Sequence, residues 1–405
     1  MSLPTPRAEG LRVGPGKLLW TLSLAQLVSW GILFYSFAVF VGPMEAELGW
    51  SKTTLNAALS VGLVVSGLFA PWVGAQIDRG RAHLVMTFGS LLGTLALLGW
   101  ATVGSPALFI ALWVAMGMAM SCTLYEPGFA VLVKSLGDRA PRAILQMTFI
   151  GGLASTVFIP LTHLMIEHAG WRPTLVVLAV INLLGATLVH AVVLRPAADP
   201  APFDAAKPSG QGMSARAAMA DSRFWGLLVC FVAFQVSFTA MVFHLLPIFD
   251  ERGIDRTAGV ALYTFIGPMQ VTGRLLLLAV EGRLSARTTG RALFLASVPM
   301  ILLLLAAGAD LRILALFIIC YGVINGLMTV IRGTIVRDIF GPASFGAIQG
   351  RLTLPANFAR AAGPSVGALL WTIAGGYGPV LVALAAISAV SAAAFWYATR
   401  ARPTP

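Results

Sequence analysis

Long apolar runs separated by short hydrophilic breaks dominate this sequence. Of its 405 residues, 58% are hydrophobic and only 11% are charged, whereas a soluble domain has roughly a quarter charged residues. Crossing the bilayer core takes about 20 apolar residues, and a helix satisfies its own backbone hydrogen bonds there. The sequence predicts an all-α membrane protein with twelve transmembrane helices, near residues 18–43, 53–76, 84–103, 107–133, 143–166, 172–194, 224–248, 257–280, 291–308, 311–336, 346–372 and 377–399.

The segment between the sixth and seventh runs divides the chain into two halves. Residues 195–222 contain four prolines and both charge signs without apolar periodicity, which predicts a flexible linker. Residues 1–194 and 223–405 would then form two six-helix bundles. The breaks before the second and eighth runs also match, because Ser51 and Asp255 each offer a helix N-cap followed by a basic residue and a threonine. Parallel internal repeats would produce such a match.

The positions of the basic residues predict the orientation. One set of breaks, including both termini and the linker, holds 18 of the 27 Lys and Arg residues, while the alternate set holds five. The positive-inside rule therefore places both termini and the linker in the cytoplasm, for a multi-pass protein of a bacterial inner membrane. The net charge of +11 does not indicate nucleic-acid binding, because the basic residues are scattered over many loops.

A short motif follows the second run. Residues 74–81 read GAQIDRGR, which resembles the loop signature Gly-x-x-x-Asp-Arg-x-Gly-Arg of the major facilitator superfamily with one residue missing before Gly80. The resemblance implies two six-helix bundles around a central cavity, lined mainly by spans 1, 4, 7 and 10. It also implies a conformational latch in which Asp78 meets a cation or a helix N-terminus. The latch residues would be Gly74, Asp78, Arg79 and Arg81.

A few charged residues lie well inside the apolar runs. Among all 16 Asp and Glu residues only Glu126 does so, and three arginines join it, namely Arg274, Arg332 and Arg360. A charge at membrane depth is costly, so it marks a transport pathway or a paired site. These residues fall on spans 4, 8, 10 and 11, which border the cavity in the superfamily.

Arg274 gives the most specific expectation about a ligand. Its position on span 8, together with residues 49–51 (GWS) before span 2, resembles bacterial members of the monocarboxylate and oxalate–formate transporter group. In that group an arginine on span 8 meets the substrate carboxylate, and a second cation on span 11 corresponds to Arg360. The planar guanidinium suits this role, because it can hold a carboxylate through two parallel hydrogen bonds. The alternative for Arg274 is an interhelical salt bridge with Glu126.

Other candidates are weaker. Glu126 could couple proton movement to transport, since a buried carboxyl tends to hold a proton, or it could be a fixed counter-ion for an arginine. Arg332 could contact the substrate or form part of a gate. Further polar candidates for substrate binding on cavity-lining spans are Tyr35, Tyr125, Asn325 and Asn357.

These features together predict a secondary active transporter. It would move a small organic anion, a mono- or dicarboxylate, across the inner membrane by alternating access, with protons as the candidate coupling ion. The alternative is a carrier of the same fold for a larger solute, such as a siderophore or a drug-like compound, in uptake or efflux. Because the sequence shows no nucleophile–base or metal-ligand constellation, we expect no enzymatic activity, catalytic residue, cofactor or metal. We expect a monomer in the lipid bilayer.

Overall fold

The computed structural model describes residues 14–195, 212–279 and 285–400, and within them the regular structure is helical, without strands. Two π-helical segments, Gly31–Tyr35 and Leu183–Thr187, and a 3-10 turn, Gly137–Arg139, interrupt the α-helices. The α-helices are α1 Pro15–Trp30, α2 Phe37–Leu48, α3 Lys52–Asp78, α4 Ala82–Ala101, α5 Pro106–Thr123, α6 Tyr125–Leu136, α7 Ala140–Gly152, α8 Ala154–Ala169, α9 Trp171–Asn182, α10 Leu188–Val193, α11 Ala215–Ala220, α12 Ser222–Glu251, α13 Arg256–Thr264, α14 Ile266–Ala279, α15 Ala286–Ala306, α16 Leu311–Phe340, α17 Phe345–Ala374 and α18 Tyr377–Thr399.

Nine stretches of the described residues are long and apolar enough to cross a membrane. One of them, Pro106–Ala169, is 64 residues long and contains both the fourth and the fifth predicted spans. The eighth predicted span consists of α13 and α14, which are separated at Phe265 and are each shorter than a bilayer crossing. The eleventh is α17, whose apolar content is diluted by two arginines and two internal prolines.

The chain divides into two compact units. The first unit contains Met1–Met213 and Phe340–Arg351, and the second contains Ser214–Ile339 and Leu352–Pro405. The first residues of α17 thus belong to the first unit, although they lie in the second half of the sequence. The two predicted bundles, residues 1–194 and 223–405, differ from the two compact units at this segment. The division into two bundles at these residues stays a prediction.

The predicted linker is regular at its C-terminal end. Residues 196–211 lie outside the described residues, but α11 forms at Ala215–Ala220 and α12 begins at Ser222. The hydroxyl of Ser214 accepts a hydrogen bond from Ala217 N and caps α11. The mostly flexible linker over 195–222 stays a prediction, and at its C-terminal end a six-residue, alanine-rich segment with an N-cap forms a short helix.

The predicted caps before the second and eighth spans are confirmed. The hydroxyl of Ser51 accepts from Thr54 N at 3.1 Å, and a carboxylate oxygen of Asp255 accepts from Ala258 N at 3.1 Å. Each cap satisfies one of the N–H groups that a helix start leaves without an intrahelical partner. The second and eighth spans, each the second span of its half, therefore begin with the same kind of side-chain N-cap.

Each unit has its own apolar interior. In the first unit, buried aromatic rings pack edge to face, with Trp100 and Trp113 centroids 5.5 Å apart and Phe37 4.8 Å from Trp113. In the second unit, Phe294 of α15 lies 5.6 Å from Phe234 of α12 and 4.6 Å from Phe395 of α18. These interiors fix the helices that carry the candidate site residues.

Candidate functional site

Asp78, the last residue of α3, caps the beginning of α17 within the first unit. Its Oδ1 accepts from Gly346 N at 2.9 Å, and its Oδ2 accepts from Ala347 N at 2.7 Å. Both donors lie in the first turn of α17, where N–H groups lack intrahelical acceptors and the helix dipole favours a negative charge. The structure therefore places Asp78 at a helix N-terminus, one of the two partners predicted for the latch.

Glycines make this close approach of α3 and α17 sterically feasible. A Cβ atom on Gly74 would lie 1.9 Å from Gly346 O, and one on Gly350 would lie 2.3 Å from Ala70 O. Real Cβ contacts are never this short, so larger residues at these positions would push the two backbones apart. The first glycine of the sequence motif is thus explained by backbone-to-backbone packing beside Asp78.

The basic residues around Asp78 have different surroundings. Arg79 and Arg81 are exposed, and Arg81 Nη1 donates to Gln76 Oε1 of the same helix–turn segment at 2.9 Å. Sequence analysis missed Lys134 of α6, whose Nζ donates to the backbone oxygens of Ile77 and Asp78. A cation at the C-terminal carbonyls of α3 is favourable for the helix dipole. Lys134 is 56 residues from Asp78 in sequence, so no local pattern could identify the pair.

Arg274 is buried in the second unit, with only 5% of its surface exposed. It lies on α14 where that helix packs closely against α16. A Cβ on Gly273 would lie 2.7 Å from Val323 O, and one on Gly326 would lie 2.1 Å from Gln270 O. Across this narrow crossing Arg274 Nε donates to Gly326 O at 3.4 Å. This contact directs the side chain of Arg274 from α14 towards the backbone of α16.

The remaining candidates of the second unit are half-buried. They are Arg332 and Asn325 on α16, and Arg360 and Asn357 on α17. The second unit therefore carries three arginines on three different helices within predicted spans.

His244 joins three helices of the second unit. Its Nε2 lies 2.9 Å from Pro364 O of α17, and its Nδ1 lies 2.8 Å from the hydroxyl of Tyr377 of α18. Because a carbonyl oxygen can only accept, Nε2 donates to Pro364, and in the neutral ring Nδ1 accepts from Tyr377. A Cβ on Gly367 would lie 2.6 Å from the imidazole Cδ2. These contacts connect α12 to α18 and to α17, at Pro364, one helical turn after Arg360.

Glu126 of the first unit lies beside an interruption of its span. Helix α5 ends at Thr123, Leu124 is extended with ψ −159°, and α6 begins at Tyr125. Glu126 is half-buried in the first turn of α6. The span is therefore interrupted at Leu124, just before the acid.

Tyr125 and Tyr35 contact the same tryptophan. The ring of Trp30 lies 4.9 Å from Tyr125 and 6.0 Å from Tyr35, and Tyr125 stacks on Phe129 at 5.4 Å. Tyr35 ends the π-helical segment Gly31–Tyr35, which sequence analysis missed. Such segments are often found at functional sites. The structure therefore brings two predicted site residues of the first unit together through Trp30.

Comparisons with known proteins identify the family. Residues 20–306, more than half of the chain, match the profile of the Major Facilitator Superfamily. The chain therefore belongs to this superfamily, and it is a multi-pass membrane transport protein. Its predicted fold class, twelve transmembrane helices in two six-helix bundles, is confirmed. No curated protein matches the chain.

Solved structures show the same fold at low sequence identity. The human organic anion transporter MFSD10 (TETRAN) has a TM-score of 0.69 and 18% identity, over 94% of this chain and 98% of that one. The E. coli fucose:proton symporter FucP has a TM-score of 0.70 and 14% identity, over 96% and 99% of the two chains. The proton:xylose symporter XylE has a TM-score of 0.71 and 11% identity, over 95% and 96%.

Proposed function

We propose that this protein is a secondary active transporter for a small organic anion, a mono- or dicarboxylate. It moves this cargo across a bacterial inner membrane by alternating access, with protons as the candidate coupling ion. Arg274 is the principal carboxylate-binding residue, and Arg360 and Arg332 contribute further positive charge. Tyr35, Tyr125, Asn325 and Asn357 are the polar residues proposed to complete the substrate site. Glu126 is the proposed proton-coupling residue.

The balance of charge inside the spans carries this proposal. Three arginines, Arg274, Arg332 and Arg360, lie well within apolar spans, where Glu126 is the sole acidic residue. The spans thus carry more positive than negative formal charge at membrane depth, where charge is costly. An anionic cargo would reduce this imbalance each time it binds. The same reasoning disfavours a cationic cargo.

Arg274 is suited to this role by its geometry. The arginine is almost wholly buried, and its Nε donates to the backbone oxygen of Gly326. A desolvated arginine binds a carboxylate more strongly than an exposed one, because water no longer competes for the hydrogen bonds. The close crossing of α14 and α16 keeps the base of the side chain in place, so little ordering is needed upon binding.

The fold neighbours are compatible with this proposal. One is described as an organic anion transporter, and two are described as proton symporters. Their identity to this chain is below 20%, so the choice of substrate depends on the residues of this chain. For the same reason, the proposal of proton coupling depends on a residue of this chain, Glu126, and not on the neighbours.

A larger solute is the second candidate. The aromatic cluster of the first unit, formed by Trp30, Phe34, Tyr35 and Tyr125, favours it because aromatic faces bind extended apolar or ring-shaped ligands. A siderophore or drug-like compound with aromatic or extended apolar parts could bind to this cluster. The two candidates therefore differ in the size of the ligand that stabilises the protein.

A ligand panel tests the proposal. Thermal stability of the purified protein is measured with formate, acetate, lactate, oxalate, succinate, fucose, xylose and a hydroxamate siderophore. A ligand at 100 times its dissociation constant stabilises the folded state by about 2.7 kcal/mol, so a specific carboxylate should raise the unfolding temperature by several degrees. Counterflow of the same compound in liposomes then distinguishes a carrier from a receptor. Stabilisation by the siderophore or a sugar, with none by any carboxylate, would refute the organic-anion proposal.

A further inference from the structure

The break between α5 and α6 leaves a backbone carbonyl without its normal donor. In a continuous helix, Thr123 O would accept from the N–H of residue 127, but that residue is proline and has no N–H. Leu124 between the two helices has φ −75° and ψ −159°, which is extended backbone. An unsatisfied buried carbonyl costs about 1–3 kcal/mol. The break beside Glu126 therefore needs a donor from elsewhere in the structure.

Gln26 of α1 supplies this donor. The residue is fully buried, and its Nε2 donates to Thr123 O at 2.7 Å and to Leu124 O at 3.1 Å. One amide group thus binds the carbonyls of both residues at the break. The contact joins residues that are 97 and 98 positions apart in the chain. It lies wholly within the first unit.

Trp30 packs against Tyr125, the residue that follows the break at Leu124. It follows Gln26 by four residues on α1, so the two side chains lie on one face of that helix. Its ring centroid is 4.9 Å from that of Tyr125, the first residue of α6. Helix α1 therefore contacts the segment 123–125 at two points, immediately before Glu126.

We infer that Gln26 is a positioning residue for Glu126. Its amide stabilises the extended conformation of Leu124, and this conformation sets the direction in which α6 leaves α5. If the turn closed into an α-helix, ψ of Leu124 would change from −159° to about −42°. Such a rotation would turn α6, and Glu126 in its first turn, away from their present orientation. The inference deepens the proposed function, on which it rests for the importance of Glu126.

The test measures the environment of Glu126 directly. Dicyclohexylcarbodiimide reacts with carboxyl groups in apolar surroundings, and peptide mass spectrometry of the purified, full-length protein gives its rate of reaction with Glu126. Gln26→Leu keeps the side chain's bulk but removes the donor. We expect the rate in Gln26→Leu to differ from wild type by about threefold or more, since small changes in a barrier give large changes in rate.

Asn182→Leu is the matched control. Asn182 is also fully buried in the first unit, and its Nδ2 donates to Ser90 O and Thr94 Oγ1, both at 2.9 Å. Its loss removes a comparable amide and comparable hydrogen bonds on a different pair of helices. We expect Asn182→Leu to lower the unfolding temperature while the labelling rate of Glu126 stays within about twofold of wild type. This separates a local effect on Glu126 from general destabilisation.

Pro127→Ala provides a rescue if Gln26→Leu fails to fold. Alanine restores an N–H that can donate to Thr123 O, so Gln26→Leu/Pro127→Ala should be more stable than Gln26→Leu. Labelling of Glu126 in this double variant should differ by about threefold or more from that in Pro127→Ala alone. Unchanged labelling in Gln26→Leu, or equal labelling in the double variant and Pro127→Ala, would overturn the inference. Proton uptake by Glu126→Gln in liposomes tests the coupling role separately, so either idea can fail alone.

Discussion

The hydroxyl of Tyr377 lies 2.8 Å from Nδ1 of His244, while the opposite ring nitrogen of this histidine donates to Pro364 O. This imidazole therefore connects α12, α17 and α18 through two hydrogen bonds, and in the neutral ring Nδ1 accepts from Tyr377 because Nε2 donates to the carbonyl. Helix α17 also carries Arg360, four residues before Pro364. The histidine thus supports the helix that presents a candidate substrate-binding arginine.

His244→Phe should destabilise the second unit. It removes both hydrogen bonds of the imidazole, which join partly buried groups, and each such bond contributes about 0.5–1.5 kcal/mol. Thermal unfolding of the purified variant measures the loss. His163→Phe is the control, because His163 is exposed and pairs only with Glu167 one helical turn away. A stability of His244→Phe equal to that of the control would show that the three-helix connection is energetically unimportant.

Asp78→Asn should impair the transport cycle more than substrate binding. An asparagine has one acceptor oxygen where the carboxylate has two, so it loses the arrangement of one oxygen on each of Gly346 N and Ala347 N, and it has no charge to interact with the start of α17. Hydrogen bonds to a charged group contribute about 1.5–3 kcal/mol, so we expect at least a tenfold loss of transport rate with ligand affinity nearly unchanged. Transport in liposomes and ligand-induced thermal stabilisation measure the two quantities. Asp338→Asn, which alters an exposed pair with Arg287, is the control.

The outcome for Asp78→Asn also decides the latch proposal. If transport is normal while ligand affinity falls, Asp78 affects the binding site and is not a latch. If both are lost together with thermal stability, the carboxylate is only a structural cap for α17.

Gly74→Ala should disturb the same contact by steric pressure alone. The added Cβ would lie 1.9 Å from Gly346 O, so α3 and α17 would have to separate. Gly42→Ala is the matched control, because Gly42 also lies within a helix and has no atom within 4 Å of an added Cβ. A Gly→Ala change in an uncrowded helix stabilises by roughly 0.5–1 kcal/mol. We expect Gly42→Ala to retain transport and Gly74→Ala to lose most of it, measured at equal expression in the membrane.

The sequence predicted the helices better than their interruptions. Within the described residues, nine long apolar stretches cover ten of the twelve predicted spans, because burial in lipid demands a long apolar run, whereas the eighth and eleventh predicted spans correspond to α13–α14 and α17. The break at Leu124 and the π-helical segment Gly31–Tyr35 were not predicted, because they depend on packing against distant helices. Pro127 gave a partial signal, since its missing N–H predicts a weak point, but its compensating partner Gln26 is 97 residues from Thr123.

The candidate site was predictable to a similar degree. The motif at residues 74–81 indicated that Asp78 would meet a cation or a helix N-terminus, and the structure places it at the N-terminus of α17. Lys134 was missed because its contact with the end of α3 joins two separate helices. The burial of Arg274 followed from its position in an apolar run, whereas its contact with Gly326 depends on glycines of two helices that meet only in the folded unit.

Arg274→Lys distinguishes a substrate contact from a structural charge. Lysine keeps the positive charge, but its ammonium group cannot form the two parallel hydrogen bonds that a guanidinium makes with a carboxylate. Losing a charge-assisted contact in a desolvated site should cost about 1.5–3 kcal/mol, which is roughly a 10- to 150-fold loss of affinity. The measurement is a binding titration with the carboxylate that stabilises the wild type. Arg287→Lys, at an exposed ion pair with Asp338, should bind normally.

The salt-bridge alternative for Arg274 predicts a different pattern in the same titration and in thermal unfolding. If Arg274 serves only as the counter-ion of Glu126, Arg274→Ala removes that partner from a half-buried carboxylate and should lower the stability. Glu126→Gln would then restore much of the stability of Arg274→Ala, because the neutral amide needs no counter-ion. A substrate-binding arginine gives no such rescue of ligand affinity, since the amide cannot replace the lost guanidinium. Near-normal affinity in Arg274→Lys, combined with rescue of stability in Arg274→Ala/Glu126→Gln, would therefore reject Arg274 as the carboxylate-binding residue.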